Sequence, residues 1–248
     1  MIIQKENLIL TCSINDIRDE FVQKYLAEEF TESRLGEKTI EIIGASFIAD
    51  EDAIFGKPNQ EYIDAESSWY LSASSNINDI YGEDRDPPKP WTWAANEDGE
   101  INSNYGLLTL TSKYYNQYAN VKKELIDNPD SRRASMVYQR PSIWEDYKAN
   151  GKNDFICTNA VTYYNRNNQL DAVVQMRSGD AWAGYRNDFA WQQYLLKSLA
   201  LDLKMTAGYI TWQVQNLHVY DRNFYLIDHF NNTGEIHISK NDYLETYK

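Results

Sequence analysis

Cysteine and histidine are scarce: two cysteines and three histidines in 248 residues. Cys12 and Cys157 cannot build a disulfide framework, which fits a reducing compartment. The same residues are too widely spread to show metal-ligand spacing, so no metal is expected. Basic residues are also in the minority, 24 Lys and Arg against 37 Asp and Glu, for a net charge of −13. That balance opposes non-specific binding to a nucleic-acid backbone, so no nucleic-acid polymer is expected as a partner. A small anionic ligand needs only a local cluster of arginines. No apolar run approaches a membrane span, and residues 1–7 lack the apolar core of a signal peptide, so a cytoplasmic chain with no membrane partner is expected. Repeats, low-complexity tracts and Gly/Ser linkers are absent too, which favours one domain over residues 1–248. Aromatic side chains are plentiful, with 19 Tyr and 7 Trp. They suit a large core and the recognition of flat rings without deciding for either.

Periodicity places the elements. Residues 13–30 read as an amphipathic helix with a capping box at Ser13 and Asp16. A turn at 34–38 leads into a β-branched strand at 39–48, with Gly44 at a bulge or close approach. Residues 62–73 read as a helix carrying Glu66 and Trp69. The three prolines of 84–90 call for a loop before Trp91. A helix is expected over 112–127 and a strand over 134–139. Strands at 155–164 and 170–176 should pair through the polar turn 165–169. Residues 189–204 form a strongly amphipathic helix, 209–219 a strand and 221–230 a helix. Strands and helices mix without a regular βαβ repeat, so the expected class is α+β with a mixed sheet.

The chemistry centres on Cys157, within Asp-Phe-Ile-Cys-Thr-Asn at 154–159. A lone cysteine beside a strand is more often a small buried hydrophobe than a nucleophile. Its surroundings change that reading. Residues 177–188, Arg-Ser-Gly-Asp-Ala-Trp-Ala-Gly-Tyr-Arg-Asn-Asp, resemble the nucleotide-binding signature of the thymidylate synthases, Arg-Ser-x-Asp-x-x-x-Gly-x-x-x-Asn. Cys157 stands where that family has its nucleophile. Asp130-Ser-Arg-Arg133 resembles its double-arginine motif, Asn216-Leu-His218-Val-Tyr220 its His-x-Tyr motif, and residues 34–39 its N-terminal phosphate loop. Further stretches at 38–47, 99–106 and 128–133 resemble the deoxycytidylate-acting branch of the family.

The resemblance implies the thymidylate synthase fold: a twisted mixed sheet with helices on one face, dimerising through the other. It implies 5,10-methylene-tetrahydrofolate as co-substrate, and a homodimer whose double arginine serves the neighbouring subunit. Cys157 would attack C6 of a pyrimidine and turn C5 into an enamine-like carbon able to take a one-carbon unit. Arg34, Arg132, Arg133, Arg177 and Ser178 would bind the 5′-phosphate, for which the planar arginine fork is suited. His218 and Tyr220 would hold the sugar hydroxyl. Glu66 would be the general acid/base, Trp91 would flank the folate, and Asp180 and Gly184 would line the pterin and nucleotide pocket. Each has a plainer reading taken singly: a solvated turn for Arg132 and Arg133, a solvated helical Glu66, a satisfied core His218, a packing role for Trp91.

Asp188 departs from the family, which has Asn there. Cytosine presents an acceptor at N3 and a donor at N4, and a carboxyl sharing a proton matches that edge where an amide does not. The plainer reading is an acid favouring the start of the following helix. Thr158 and Gly179 also replace a His and a Cys of the synthase, and residues 243–248 lack its short apolar closing tail. Asp221 follows Tyr220 where the deoxycytidylate branch has a smaller Ser. The departures from the synthase, with the missing tail, imply a deoxycytidylate hydroxymethylase in which water, not hydride, completes the transfer; Asp221 departs from that branch at a position that bears on how the water is placed. Competing readings are a dCMP methyltransferase, a dUMP-acting synthase and a catalytically silent nucleotide-binding subunit. The acidic surface is also open to docking of other precursor-synthesis enzymes.

Overall fold

A computed structural model of the chain describes residues 12–34 and 36–247. Residues 1–7 of the signal-peptide reading, Leu35 of the 34–38 turn and Lys248 of the C-terminal run lie outside the described residues. Helix α1, Ile14–Leu26, opens on the expected capping box: Asp16 N–H donates to Ser13 Oγ (3.3 Å) and Ser13 N–H to the Asp16 carboxylate (2.7 Å). It buries Ile14, Ile17 and Phe21. It stops short of Phe30, because Glu28 takes a left-handed φ of 54° and Phe30 turns away to stack on Phe224.

Strands β1 (Thr31–Glu32), β2 (Lys38–Ile48), β3 (Ser135–Val137), β4 (Thr158–Arg166), β5 (Gln169–Met176), β6 (Gly179–Asp180) and β7 (Thr206–Tyr220) form one mixed sheet in the order β1-β2-β7-β5-β4-β3, with β6 also paired to β7. The β4–β5 hairpin closes through Asn167 and Asn168, both left-handed, inside the turn expected there. β5 runs parallel to β7. A parallel pair needs a long crossover, and helix α7, Ala183–Leu203, provides it. Its apolar stripe of Tyr185, Phe189, Leu195, Leu196 and Leu199 is buried, and the helix packs against β5 and β7. α7 begins before the expected Phe189, so Asp188 lies in its second turn and not at its start.

The sheet changes face midway. In β2 the core takes Ile40, then Ala45 and Phe47; in β7 it takes Ile210, Trp212 and Val214, then Leu217 and Val219. The alternation slips by one residue in both partners at the same level. Their register nonetheless stays in step, Ile43 opposite Asn216 and Ala45 opposite Val214. Gly44 is therefore not a bulge in the register, and nothing lies within 4 Å of the Cβ it lacks, so no close approach demands it. It is needed for its left-handed φ of 74°, which turns the strand over. β4 slips at the same end, with a register shift between Thr158 and Ala160.

Other helices correct the sequence reading locally. α2, Gln60–Ser72, starts earlier because Asn59 Oδ1 caps the N–H of Tyr62 at 3.3 Å. The proline-rich loop gives way at Lys89 to α3, Lys89–Ala94, whose proline needs no donor in a first turn, so Trp91 stands on a helix. α4 is Tyr105–Leu110. The helix expected at 112–127 is split: left-handed Tyr115 and Asn116 separate a short turn from α5, Gln117–Asp127. α6 (Ile143–Asp146) precedes the nucleophile segment, α8 is Phe224–Thr233, and α9 is Lys240–Tyr247. The helices pack around the sheet over a core that includes Trp69, Trp191 and Trp212.

α4 meets α2 without a side chain between them. A Cβ on Gly106 would land on the Tyr70 carbonyl oxygen, which is backbone and cannot swing aside. Gly106→Ala is expected to destabilise the fold by about 3 kcal/mol or more, and thermal unfolding will show the drop; an unchanged melting temperature would mean that α2 and α4 are not so close.

Candidate active site

The nucleophile candidate sits just before β4, where the strand register slips. Arg177, at the end of β5, faces it: its backbone N–H donates to the Cys157 carbonyl at 2.9 Å. The Arg177 guanidinium is tied down by the carbonyls of Phe155 (2.6 Å) and Ile156 (2.9 Å), lies on the Phe155 ring, and leaves Nη2 3.4 Å from Cys157 Sγ. The thiol is closely walled. Burial pushes its pKa up to about 11; Arg177 pulls down, while the Asp188 and Asp154 charges add to the rise. Arg177 therefore favours the thiolate in sign, but burial outweighs it. The resting sulfur keeps its proton at neutral pH, and deprotonation must accompany attack.

Across from the thiol stand two carboxyls. Glu66 is buried on α2, at 5 % exposure, which excludes the solvated reading. Its Oε1 accepts from the Tyr62 hydroxyl (2.5 Å) and from Trp91 Nε1 (3.2 Å), and the same indole N–H reaches the Tyr62 oxygen at 2.8 Å. Burial raises the Glu66 pKa to about 7, against the pull of hydrogen bonds from Tyr62, Trp91 and Tyr70. Burial, reinforced by the Glu66 charge, raises that of Asp188 further, to about 8, with Tyr105 opposing through a hydrogen bond. Tyr105 links this side to the nucleophile, because its hydroxyl also accepts from Thr158 Oγ1 at 2.9 Å.

A third group gathers where β6 meets β7. Asp180 pairs with His218 in the parallel ladder, and its Oδ1 accepts from the Trp182 N–H at 2.8 Å. Burial raises the Asp180 carboxyl and lowers the His218 imidazole, each countered by the other's charge. The His218 ring meets the Tyr220 ring edge-on at 4.9 Å. After the change of face, Leu217 and Val219 enter the core while His218 and Tyr220 stay half-buried on the opposite side. Gly184 keeps the space beside two acids open: a Cβ there would sit 3.5 Å from Asp180 Cβ and 4.0 Å from Asp188 Oδ2. Ser178 is half-buried between Arg177 and β6.

The arginines do not all converge. Arg34 is exposed in the turn after β1. Arg132 and Arg133 follow α5 on a separate surface recess shared with Glu124 and Asp127, and Arg133 Nε is paired with Glu124 at 2.9 Å. Within one chain, Arg177 alone of these four lies at the thiol. Four contributors had not been singled out. Tyr62 and Tyr70 flank Glu66 at i−4 and i+4, so helical spacing alone could have found them. Tyr105 lies in the 99–106 stretch. Asp154 is in the nucleophile's own segment and anchors it, accepting from Asn102 N–H (2.5 Å), Ser103 N–H (2.8 Å) and Ser103 Oγ (2.7 Å). Among the described residues no group of three His, Cys, Asp or Glu could hold a metal ion, and no helix is long and apolar enough to cross a membrane.

A thiol facing an arginine, two proton-holding acids and a His-x-Tyr strand end, on this mixed sheet, define a family. The chain belongs to the thymidylate synthase family, whose sequence profile matches residues 29–237. It is 48% identical over 242 residues to the deoxycytidylate 5-hydroxymethyltransferase of Enterobacteria phage T4, covering 95% of this chain and 97% of that one. To the enzyme of the same name from Enterobacteria phage T2 it is 48% identical over 243 residues, 95% and 98% of the two chains. A thymidylate synthase of Francisella tularensis subsp. holarctica (strain OSU18) is 26% identical over 165 residues, 62% of this chain and 59% of that one.

The raised acid makes a stability prediction with a definite sign. Asp188 titrates near 8 in the fold against an ordinary 3.8, so the unfolded chain loses this proton first. Its contribution is therefore most favourable at low pH, declines as pH rises from about 4 and levels off above about 8. Asp188→Asn removes that decline. Urea unfolding at pH 5, 7 and 9 should show the variant gaining on the wild type as pH rises; a constant difference would contradict a proton-holding Asp188.

Proposed function

We propose that this chain is a deoxycytidylate 5-hydroxymethyltransferase, converting dCMP, 5,10-methylene-tetrahydrofolate and water to 5-hydroxymethyl-dCMP and tetrahydrofolate. The observation that carries the choice of base is Asp188, whose carboxyl keeps its proton up to a pKa of about 8. A protonated carboxyl donates to cytosine N3 and accepts from the N4 amino group, the two things that edge requires. The near full-length likeness to phage enzymes of that name supports the same reading.

The chain's residues divide the work. The Asp188 proton draws electrons from the ring, and Cys157 adds its sulfur to C6 as its own proton leaves. C5 then carries the electron pair that takes up the carbon. Methylene-tetrahydrofolate, when bound, supplies that carbon. The half-buried Trp91 indole suits a flat ring placed beside buried Glu66, with Gly184 and half-buried Asp180 lining the same pocket. Glu66, with a pKa of about 7, both accepts and returns a proton near neutrality, which suits removal of the C5 hydrogen and delivery of water. As the C5 hydrogen leaves as a proton, the bond from the transferred carbon to the folate nitrogen breaks, its electron pair goes with tetrahydrofolate, and a methylene stays double-bonded to C5. Water adds its oxygen to that methylene and gives up a proton, the C5–C6 double bond re-forms, and the S–C6 bond breaks so that the sulfur leaves with its electron pair and regains its proton.

Arg177 and Ser178 hold the 5′-phosphate, with Arg34 closing from its turn. Arg132 and Arg133 reach the site of the other subunit in a homodimer; their exposed place, apart from their own chain's thiol, fits that role. His218 and Tyr220 take the sugar hydroxyl. α9 is fastened to α8, with the Tyr243 hydroxyl 2.6 Å from Asp228 and the Tyr247 ring against His229, which suits a site that admits water. The reaction runs in the cytoplasm, that of the host cell if the chain is phage-encoded like the enzymes it resembles.

Mass analysis of the nucleotide formed from dCMP and methylene-tetrahydrofolate tests this directly. The expected product carries a hydroxymethyl group and no dihydrofolate accumulates; a methylated product with dihydrofolate would replace this reading by a methyltransferase. Cys157→Ser should abolish turnover, by about a thousandfold or more, and unchanged turnover would remove the nucleophile. Asp188→Asn should move preference from dCMP towards dUMP, and unaltered selectivity would show that another group reads the base.

A further inference from the structure

Glu66 is not free to choose its own orientation. One of its oxygens, Oε1, has two donors from the protein, the Tyr62 hydroxyl at 2.5 Å and Trp91 Nε1 at 3.2 Å. Tyr62 stands one turn before Glu66 on α2 and its oxygen also accepts from Trp91 Nε1 at 2.8 Å, so the three side chains close a ring of hydrogen bonds. Trp91 comes from α3, so this ring joins the acid to the aromatic wall. Its far side is braced, with the Trp91 and Trp69 rings meeting edge-on at 5.2 Å and those of Tyr62 and Tyr81 at 6.5 Å. Oε1 is thereby fixed by two donors from different helices, and Tyr70 adds a further hydrogen bond to the same carboxyl.

We propose that Tyr62 is a positioning residue for the one-carbon transfer: its hydroxyl sets the carboxyl of Glu66 and the indole of Trp91 in one fixed arrangement and holds Glu66 ready to ionise. The inference rests on the acid/base reading of Glu66. An O–H donated to a carboxylate favours the charged form. Burial pushes Glu66 the other way, and the remaining titratable groups facing it are Tyr70 on α2, Asp188 on α7 and Tyr81 beyond α2, none of them cationic. Tyr62 is thus a main counterweight to desolvation. It has no charge to give, only a short bond.

Tyr62→Phe keeps the ring and its packing and removes the bond. The measurement is a pH titration of the full chain labelled with ¹³C at the Glu side-chain carboxyl, with Glu66→Gln identifying the resonance, beside the pH profile of kcat. In Tyr62→Phe the Glu66 midpoint is expected to move up by roughly one pH unit, with the acidic limb of kcat moving by the same amount. An unmoved midpoint overturns the proposal, because a purely packing role for Tyr62 leaves it where it was. A midpoint that moves while the limb stays shows that Tyr62 tunes Glu66 but that Glu66 is not the group on which turnover depends, which overturns the acid/base reading and with it the positioning role in the reaction.

Discussion

Two carboxyls among aromatic rings, Glu66 buried and Asp188 half-buried, set the terms for everything else in this site. Glu66 and Asp188 lose water without gaining a cation, so both hold protons near neutrality, and each charge makes the other harder to form. An acid in that condition is of use only where a proton must be offered and taken back. The hydroxyls of Tyr62, Tyr70 and Tyr105 soften the penalty through hydrogen bonds while adding no charge. The chain's many tyrosines here form the polar lining of an otherwise dry wall.

The same dryness acts on the sulfur. Cys157 has an arginine at 3.4 Å and still keeps its proton, since desolvation outweighs one guanidinium. A resting thiol of this kind is protected from stray electrophiles and becomes a nucleophile when a bound ring changes its surroundings. What brings thiol, arginine and His218 to one level is the sheet's change of face. β2, β4 and β7 slip their alternation together, so strand ends that would have continued into the core present polar side chains instead.

Features made by near neighbours could be read from the chain alone. The capping box of α1, the Asn-Asn turn between β4 and β5 and the apolar stripe of α7 each depend on residues a few positions apart. The start of α7 was misplaced because its first turn, around Gly184 and Arg186, carries little apolar periodicity; the helix is held there by Tyr185 packing on Trp212 from a distant strand. Gly44 was singled out, but its purpose was not visible, because the slip it permits is matched by a strand well over a hundred residues away. Within the candidate site, Cys157, Glu66 and Asp188 stand out in the sequence through their motifs. Tyr62 and Asp154 matter through their contacts, one through a hydrogen bond to the acid one turn along its helix and the other through the backbone N–H groups of Asn102 and Ser103.

Residue types and their order were enough to determine the family: a cysteine just before a strand, an acid where the family has an amide, and a double arginine, each in a matching motif. The chain alone could not say which charges exist. The proton held by Asp188, the near-neutral Glu66 and the reluctant thiol are products of burial, and burial is decided by walls that α2, α3, α4 and α7 build together. The separation of Arg132 and Arg133 from their own thiol was likewise settled in three dimensions, because distance along a chain carries no information about distance through a fold.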